Sequence, residues 1–292
     1  MSVVYSSSFH HANGLRHHVR SWSLPDLAAE APVAWLLHGY LDAGQSWAFV
    51  GEHLAHAGIR VYAPDLRGFG ETDRSPRGAY YHFPEYIADQ VGLLRTMNLR
   101  GVFLVGHSMG GTVATLLAAA FPEFAKSMAL LEGYGPPDTP WEEVPDRLRG
   151  WVEDSVKFTP APEDARKAMS IADAARRLRM NHPNVSVEQL ERITNGLTLP
   201  LEGGVKWAFD PLHRARSAVP FFAKSYCAFA KLVKCPVLAV SGGENGFHVP
   251  DERERLACFA NCREVALEGA GHMMHWTRPE ETAKALLQFW AA

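Results

Sequence analysis

The stretch Val102–Phe121, VFLVGHSMGGTVATLLAAAF, joins four apolar residues without a polar break (Val102, Phe103, Leu104, Val105) to a run of small and apolar residues that begins at Gly111. An unbroken apolar run predicts a fully buried strand, and the Ala/Leu/Thr run predicts a helix. Between them stands Gly106-His107-Ser108-Met109-Gly110. This is the G-x-S-x-G pattern, which holds a serine on a tight strand-to-helix turn with its hydroxyl exposed at the top of a sheet. Glycines two residues to either side keep side chains clear of the neighbouring backbone. The helix after Ser108 points its N–H groups and its positive end at the place where negative charge would develop. Ser108 is therefore the candidate nucleophile.

On both sides of this stretch, strands alternate with helices. Val3–Phe9 and Leu15–Trp22 flank Ala12-Asn13-Gly14 and read as a hairpin with an Asn-Gly turn. Val33–Leu37 and Arg60–Pro64 read as buried strands, with helical spacing over Trp47–Ala57 and again over Phe83–Asn98. Gly68-Phe69-Gly70 is not a dinucleotide fingerprint, because the third glycine would have to stand at Asp73. Ser127–Leu131 is the strand after the serine helix. From about Pro136 to Val233 the alternation stops, and charged, proline-bounded helices (Glu142–Val156, Pro162–Met180, Val187–Asn195) carry many aromatics, Trp141 and Trp207 among them. The alternation resumes with Pro236–Val240, Asp251–Phe259, Arg263–Leu267 and Pro279–Trp290. Strands alternating with helices imply an α/β fold, a mostly parallel sheet with helices on both faces. The expected division is a core of residues 1–135 and 234–292 with a helical cap at 136–233.

Composition narrows the classes. With 292 residues, 47% hydrophobic and 21% charged, the chain can bury a large core. A formal charge of -3 and the lack of a basic run give no electrostatic case for nucleic acid or an anionic membrane. The first twenty-five residues hold no apolar segment of the secretory type, and no window approaches 18 apolar residues, so a cytoplasmic protein that neither crosses nor binds a membrane is expected. Cys227, Cys235, Cys258 and Cys262 show no C-x-x-C spacing and read as buried free thiols. His10-His11 and His17-His18 read as a polar face of the hairpin.

A serine hydroxyl needs a histidine to take its proton and a carboxylate to hold that histidine. His272 follows a Gly-Ala-Gly turn after the last strand, seven residues before Pro279, which places it in a loop at the sheet's carboxyl edge. His275, three residues on, is expected to pack beside it, and His107 to point away from the nucleophile.

Taken together, the chain resembles an α/β-hydrolase over nearly its whole length, and within that superfamily the serine hydrolase-like subgroup. The stretches that carry this are HGYLDAGQSW, DLRGFGETD, GHSMGG, LLEGYGPP, GGVKWAFDP and GAGHMMHWTRPE. The resemblance implies an eight-stranded sheet and a Ser-acid-His order. Many members place the acid four residues before a proline after the post-cap strand; here that position is Gly246, four before Pro250. A second location in the superfamily, at the end of the strand after the nucleophile helix, corresponds to Glu132, which is assigned as the acid, with Glu244 as runner-up. The backbone N–H groups of Met109 and Tyr40 are expected to form the oxyanion hole, and His38, Gly39, Asp42, His107, Trp141 and Trp207 to border the substrate.

The expected chemistry is hydrolysis of a carboxylic ester of a small, partly apolar molecule through an acyl-enzyme, with no metal or organic cofactor. Little in the cap suggests the clustered positive charge that a phosphate would need. The alternatives are a carbon-carbon bond hydrolase of the ring-cleavage type and a catalytically weak ligand-binding member. The sequence is silent on oligomeric state.

Overall fold

The computed structural model describes residues 2–158 and 168–292. Among the described residues there are ten strands: β1 Val4–Ala12, β2 Leu15–Ser23, β3 Val33–Leu37, β4 Arg60–Pro64, β5 Val102–His107, β6 Ala125–Leu131, β7 Thr198–Leu201, β8 Gly204–Trp207, β9 Val237–Ser241 and β10 Cys262–Ala266. The helices are α1 Ala48–His56, α2 Phe83–Thr96, α3 Met109–Ala120, α4 Val144–Phe158, α5 Ile171–Asn181, α6 Val187–Gly196, α7 Ala223–Ala230, α8 Glu252–Leu256, α9 Met274–Thr277 and α10 Pro279–Trp290. Eight strands form one sheet in the order β1-β2-β4-β3-β5-β6-β9-β10, parallel from β4 onward and antiparallel in the β1–β2–β4 pairings. The turn between β1 and β2 has positive φ at both Asn13 and Gly14, the conformation that suits a two-residue hairpin.

Buried strands need apolar residues on both faces, and the period of two sorts them. Trp35 and Leu37 of β3, Val102 and Leu104 of β5, and Met128 and Leu130 of β6 enter one core, with α2 and α3. Their neighbours Ala34, Leu36, Phe103, Val105, Ala129 and Leu131 enter the other, with α1 and α10. That double burial explains why these segments read as continuous apolar runs rather than as alternating ones.

Between β6 and β9 the chain leaves the sheet and builds α4 to α7 and the β7–β8 hairpin. The expected helix at 162–180 begins at Ile171, where Ser170 caps it by accepting from Asp173 N; residues 162–167 lie outside the described residues. The hairpin was not anticipated, because strands of four residues around Glu202-Gly203 carry too few positions for a period of two to show. α5 and α6 close over the sheet through a third apolar cluster of Leu178, Leu190, Ile193 and Leu197 with Ala43 and Trp276.

Asp65 and His213 tie these layers together at the end of β4. Asp65 is fully buried, accepting from Gly44 N and Glu71 N and bonded to His18 Nδ1 at 2.8 Å. Burial alone would raise its pKa, but the His18 hydrogen bond and the Arg20 charge prevail and bring it to about 2. His17 and His18 are thus core residues, not the polar hairpin face that was expected, because His18 satisfies this carboxylate. The four cysteines are free and half-buried rather than buried.

His213 stacks between Phe69 and Tyr81, at 3.7 and 3.8 Å, and donates from Nε2 to the Arg67 carbonyl. Desolvation pushes its pKa down to about 3. An unfolded chain would take up this proton near pH 6.5, the native one only near 3, so the stability is complete above pH 6.5 and falls as pH drops through that window. The expected loss is about 1 kcal/mol per pH unit. Urea unfolding between pH 4 and 7 measures it, and the slope should flatten by close to one proton in His213→Gln.

Among the described residues no helix is long and apolar enough to cross a membrane.

Candidate active site

The turn from β5 to α3 holds Ser108 at φ 51° and ψ −119°, a left-handed conformation that a non-glycine residue adopts only under constraint. Backbone supplies the constraint: Ser108 N donates to the Leu131 carbonyl at 3.0 Å. A Cβ on Gly106 would collide with the Gly110 carbonyl, and one on Gly110 with the Leu37 carbonyl. Both flanking positions of the pattern are therefore closed to any side chain.

Glu132 leaves the end of β6 with φ 45° and is buried, 2% exposed. Its Oε2 lies 2.8 Å from His272 Nδ1 and also accepts from Phe247 N at 2.6 Å; its Oε1 accepts from Gly242 N at 2.6 Å. Desolvation would raise its pKa, but the hydrogen bond from His272, followed by those from the Phe247 and Gly242 amides, holds it below the ordinary carboxylate range. An ionised acceptor at Nδ1 keeps the proton on that nitrogen and leaves Nε2 as the basic one.

The reason for Gly246 follows from the same contacts. A Cβ built there would fall on Glu132 Oε1. The space a side chain at position 246 would occupy is filled by the carboxylate arriving from β6. Glu244, the runner-up for the acid, is exposed in the short 3-10 turn Gly243–Asn245 and bonds to nothing in the site.

His38 is fully buried between the end of β3 and the loop after β4. Its Nε2 accepts from Leu66 N at 2.9 Å, so its proton is on Nδ1, which donates to the Gly39 carbonyl at 2.8 Å. A trans peptide carries its N–H opposite its C=O, so holding the Gly39 carbonyl also aims the Tyr40 N–H. Neither that amide nor Met109 N, at the start of α3, meets another backbone or side-chain acceptor among the described residues. Asp42 braces the same loop, accepting from Ala43 N and Ser46 Oγ, each at 2.8 Å.

Ser108 and His272 line one cavity of about 690 Å³ under the cap, which also meets Asp42, His107, Trp207 and Arg214. A second cavity, of about 630 Å³, lies beyond Tyr40 and Met109 against Tyr81, Trp151 and Phe221. Tyr40 and Arg214 border both, and the Tyr40 hydroxyl spans to the cap by donating to the His213 carbonyl at 2.6 Å.

Several expectations change. Trp141 is 74% exposed, stacked on Phe222 at 4.3 Å, and lines neither cavity, because its 3-10 turn sits on the outer side of the cap. His38 and Gly39 lie behind the cavity wall rather than in it. His107 meets His272: its ring is 4.6 Å from that of His272 and its Nε2 donates to the His272 carbonyl at 2.9 Å. The cap also brings Arg177 and Arg214 to the cavity, two cations not singled out in the sequence. Both were missed because an arginine on a cap helix or loop looks in sequence like any solvated charge.

Residues 35–279 match the family model described as the alpha/beta hydrolase fold. The chain belongs to the α/β-hydrolase family. This α/β hydrolase is 25% identical over 260 residues to a serine hydrolase-like protein of Danio rerio, covering 87% of this chain and 79% of the other. It is 32% identical over 146 residues to epoxide hydrolase 2 of Siraitia grosvenorii, covering 50% and 44%. Among solved structures it superposes on a thioesterase domain from the curacin biosynthetic pathway with a TM-score of 0.85 and 27% identity, over 98% of this chain and 99% of that one. The fold and these relatives support a hydrolase.

Proposed function

We propose that this hydrolase cleaves a carboxylic ester, or a related acyl bond, of a small and partly apolar substrate through an acyl-enzyme on Ser108. The observation that carries the reading is the Glu132–His272 hydrogen bond in a cavity that Ser108 also lines. His272 Nε2 takes the Ser108 proton as Oγ attacks the carbonyl carbon. The Met109 and Tyr40 amides receive the oxyanion, and the leaving group departs with the proton from His272. Water, deprotonated by the same nitrogen, then releases the acid. Glu132 stays ionised throughout and stabilises the imidazolium.

A serine at the elbow is the feature that separates this chain from epoxide-opening relatives, whose chemistry uses a carboxylate nucleophile. The 27% identity to a thioesterase domain adds thioesters to the substrates worth assaying, since the same acyl-enzyme serves both. The cavity walls suit an apolar acyl chain against Trp207 and Phe209, with Arg177 and Arg214 available to a polar or anionic end.

The test is hydrolysis of p-nitrophenyl esters of increasing chain length, with a monosuccinyl ester and an acyl thioester beside them, together with labelling by a fluorophosphonate. Stoichiometric labelling with turnover of one of these substrates is the expected result. Labelling without turnover would redirect the assignment to carbon-carbon or amide bonds, and absence of both would leave a binding protein. His38→Phe, which loses the Gly39 tether, is expected to lower kcat by up to about 100-fold with KM little changed, because the oxyanion donor is misaligned only where charge develops.

A further inference from the structure

Behind the first cavity three metal-ligating side chains converge that the proposed reaction does not use. Asp42, His107 and His275 are 4%, 2% and 0% exposed, and each presents a donor atom, all within 4.8 Å of one another. The Nε2 of His107 is committed to the His272 carbonyl, and its Nδ1 has no partner. Nor has Nδ1 of His275, while its Nε2 faces Asp42 Oδ2 at 3.6 Å, a long contact. Leaving buried polar atoms unpaired is costly, and two within one cluster call for an explanation.

The chemistry of the donors points to one. Both imidazoles are buried away from water, and Nδ1 of each is free to ligate. Asp42 is already oriented by Ala43 N and Ser46 Oγ, and the His275 ring packs against Trp47, tilted by 35° with centroids 4.7 Å apart. Two imidazoles and one carboxylate favour zinc or a similar transition-metal ion over magnesium or calcium. Asp42 and His107 both border the cavity, the side from which an ion would reach the cluster.

We propose that Asp42, His107 and His275 form a binding site for a divalent transition-metal ion, zinc foremost, whose occupancy silences the neighbouring His272. Donors around tetrahedral zinc stand about 3.3 Å apart, given Zn–N distances near 2.0–2.1 Å, so the three side chains must draw together by rotation. The His107 ring adjoins that of His272 and its Nε2 holds the His272 carbonyl at 2.9 Å, so drawing His107 toward the ion displaces the backbone that carries the catalytic imidazole. The binding claim is independent of the substrate; only its inhibitory consequence rests on the proposed role of His272.

The experiment is equilibration of the full chain with zinc, dialysis against metal-free buffer, and elemental analysis of the protein. One zinc per chain is expected in the wild type, in His272→Ala and in the double variant His10→Ala/His11→Ala. In His275→Phe and His275→Asn, both checked for a cooperative melt, affinity should fall by at least about 100-fold, more than the loss of an outer-sphere partner would cause. Full stoichiometry in both folded His275 variants overturns the site, as does loss of zinc in His272→Ala, which would make the catalytic histidine the ligand, or in the His10/His11 variant, which would make it a surface chelate. Zinc should also stop ester turnover of the wild type, reversibly with EDTA, and leave that of His275→Phe insensitive. Unchanged wild-type turnover at full occupancy overturns the silencing.

Discussion

Ser108→Ala is expected to lose fluorophosphonate labelling completely and to lower kcat on the best ester by about 10⁴- to 10⁶-fold, with little change in stability. The size follows from what remains. The oxyanion amides and the cavity would still hold the substrate, but no covalent intermediate could form, and His272 would be left to activate water in a geometry built for the serine. The left-handed backbone at position 108 is set by the turn rather than by the hydroxyl, so alanine should be tolerated there. Active-site titration and steady-state kinetics on the same preparation check both halves. Labelling that survives in Ser108→Ala would move the nucleophile elsewhere and sink the proposed mechanism.

The second large effect concerns the acid. Glu132→Gln should lower kcat by about 10³- to 10⁴-fold, because an amide cannot stabilise the imidazolium and can present the wrong group to His272 Nδ1. It also strands one of the two backbone donors, Gly242 N and Phe247 N, that now meet the carboxylate, because the amide keeps a single oxygen, so a stability loss of about 1–3 kcal/mol should accompany it. Gly246 makes this prediction specific. Gly246→Asp in the wild type should be destabilising, since its Cβ collides with Glu132 Oε1. In a Glu132→Ala background the space is vacant, and the same Gly246→Asp change should recover at least ~10-fold of the lost kcat by supplying a carboxylate from the other strand. Additive losses in the double variant would show that the two positions do not serve one carboxylate site.

How much of this could be read along the chain depends on the range of the interaction involved. The strand-turn-helix at Ser108 was legible because its determinants are local: an apolar run, two glycines two residues from the serine, and a small-residue helix lie within twenty consecutive residues. The hairpin at Asn13-Gly14 and the helix Pro279–Trp290 were legible for the same reason, and the latter has the bounds the pattern implies. His272 could be proposed from its loop, whereas Glu132 was reached only through the family resemblance, which offers the strand end once the commoner position is glycine. The glycine looked in sequence like a missing acid, yet in space it is the vacancy that the Glu132 carboxylate fills. Nothing local could reveal this, because residues 132 and 246 meet only through the β6–β9 pairing.

Side-chain placement over longer separations followed no local rule. Trp141 and Trp207 look alike as cap aromatics, and packing alone put one on the outer surface and the other in the cavity wall. Arg177 and Arg214 read as solvated charges until the cap laid them over Ser108. His17, His18, His107, His213 and His275 sit in sequence among ordinary polar neighbours, and it is packing that buries each of them and decides what each one meets. Hydrophobic period and turn chemistry act between near neighbours and so are written along the chain. Desolvation, cavity shape and the convergence of donors arise only when segments a hundred or more residues apart close on one another.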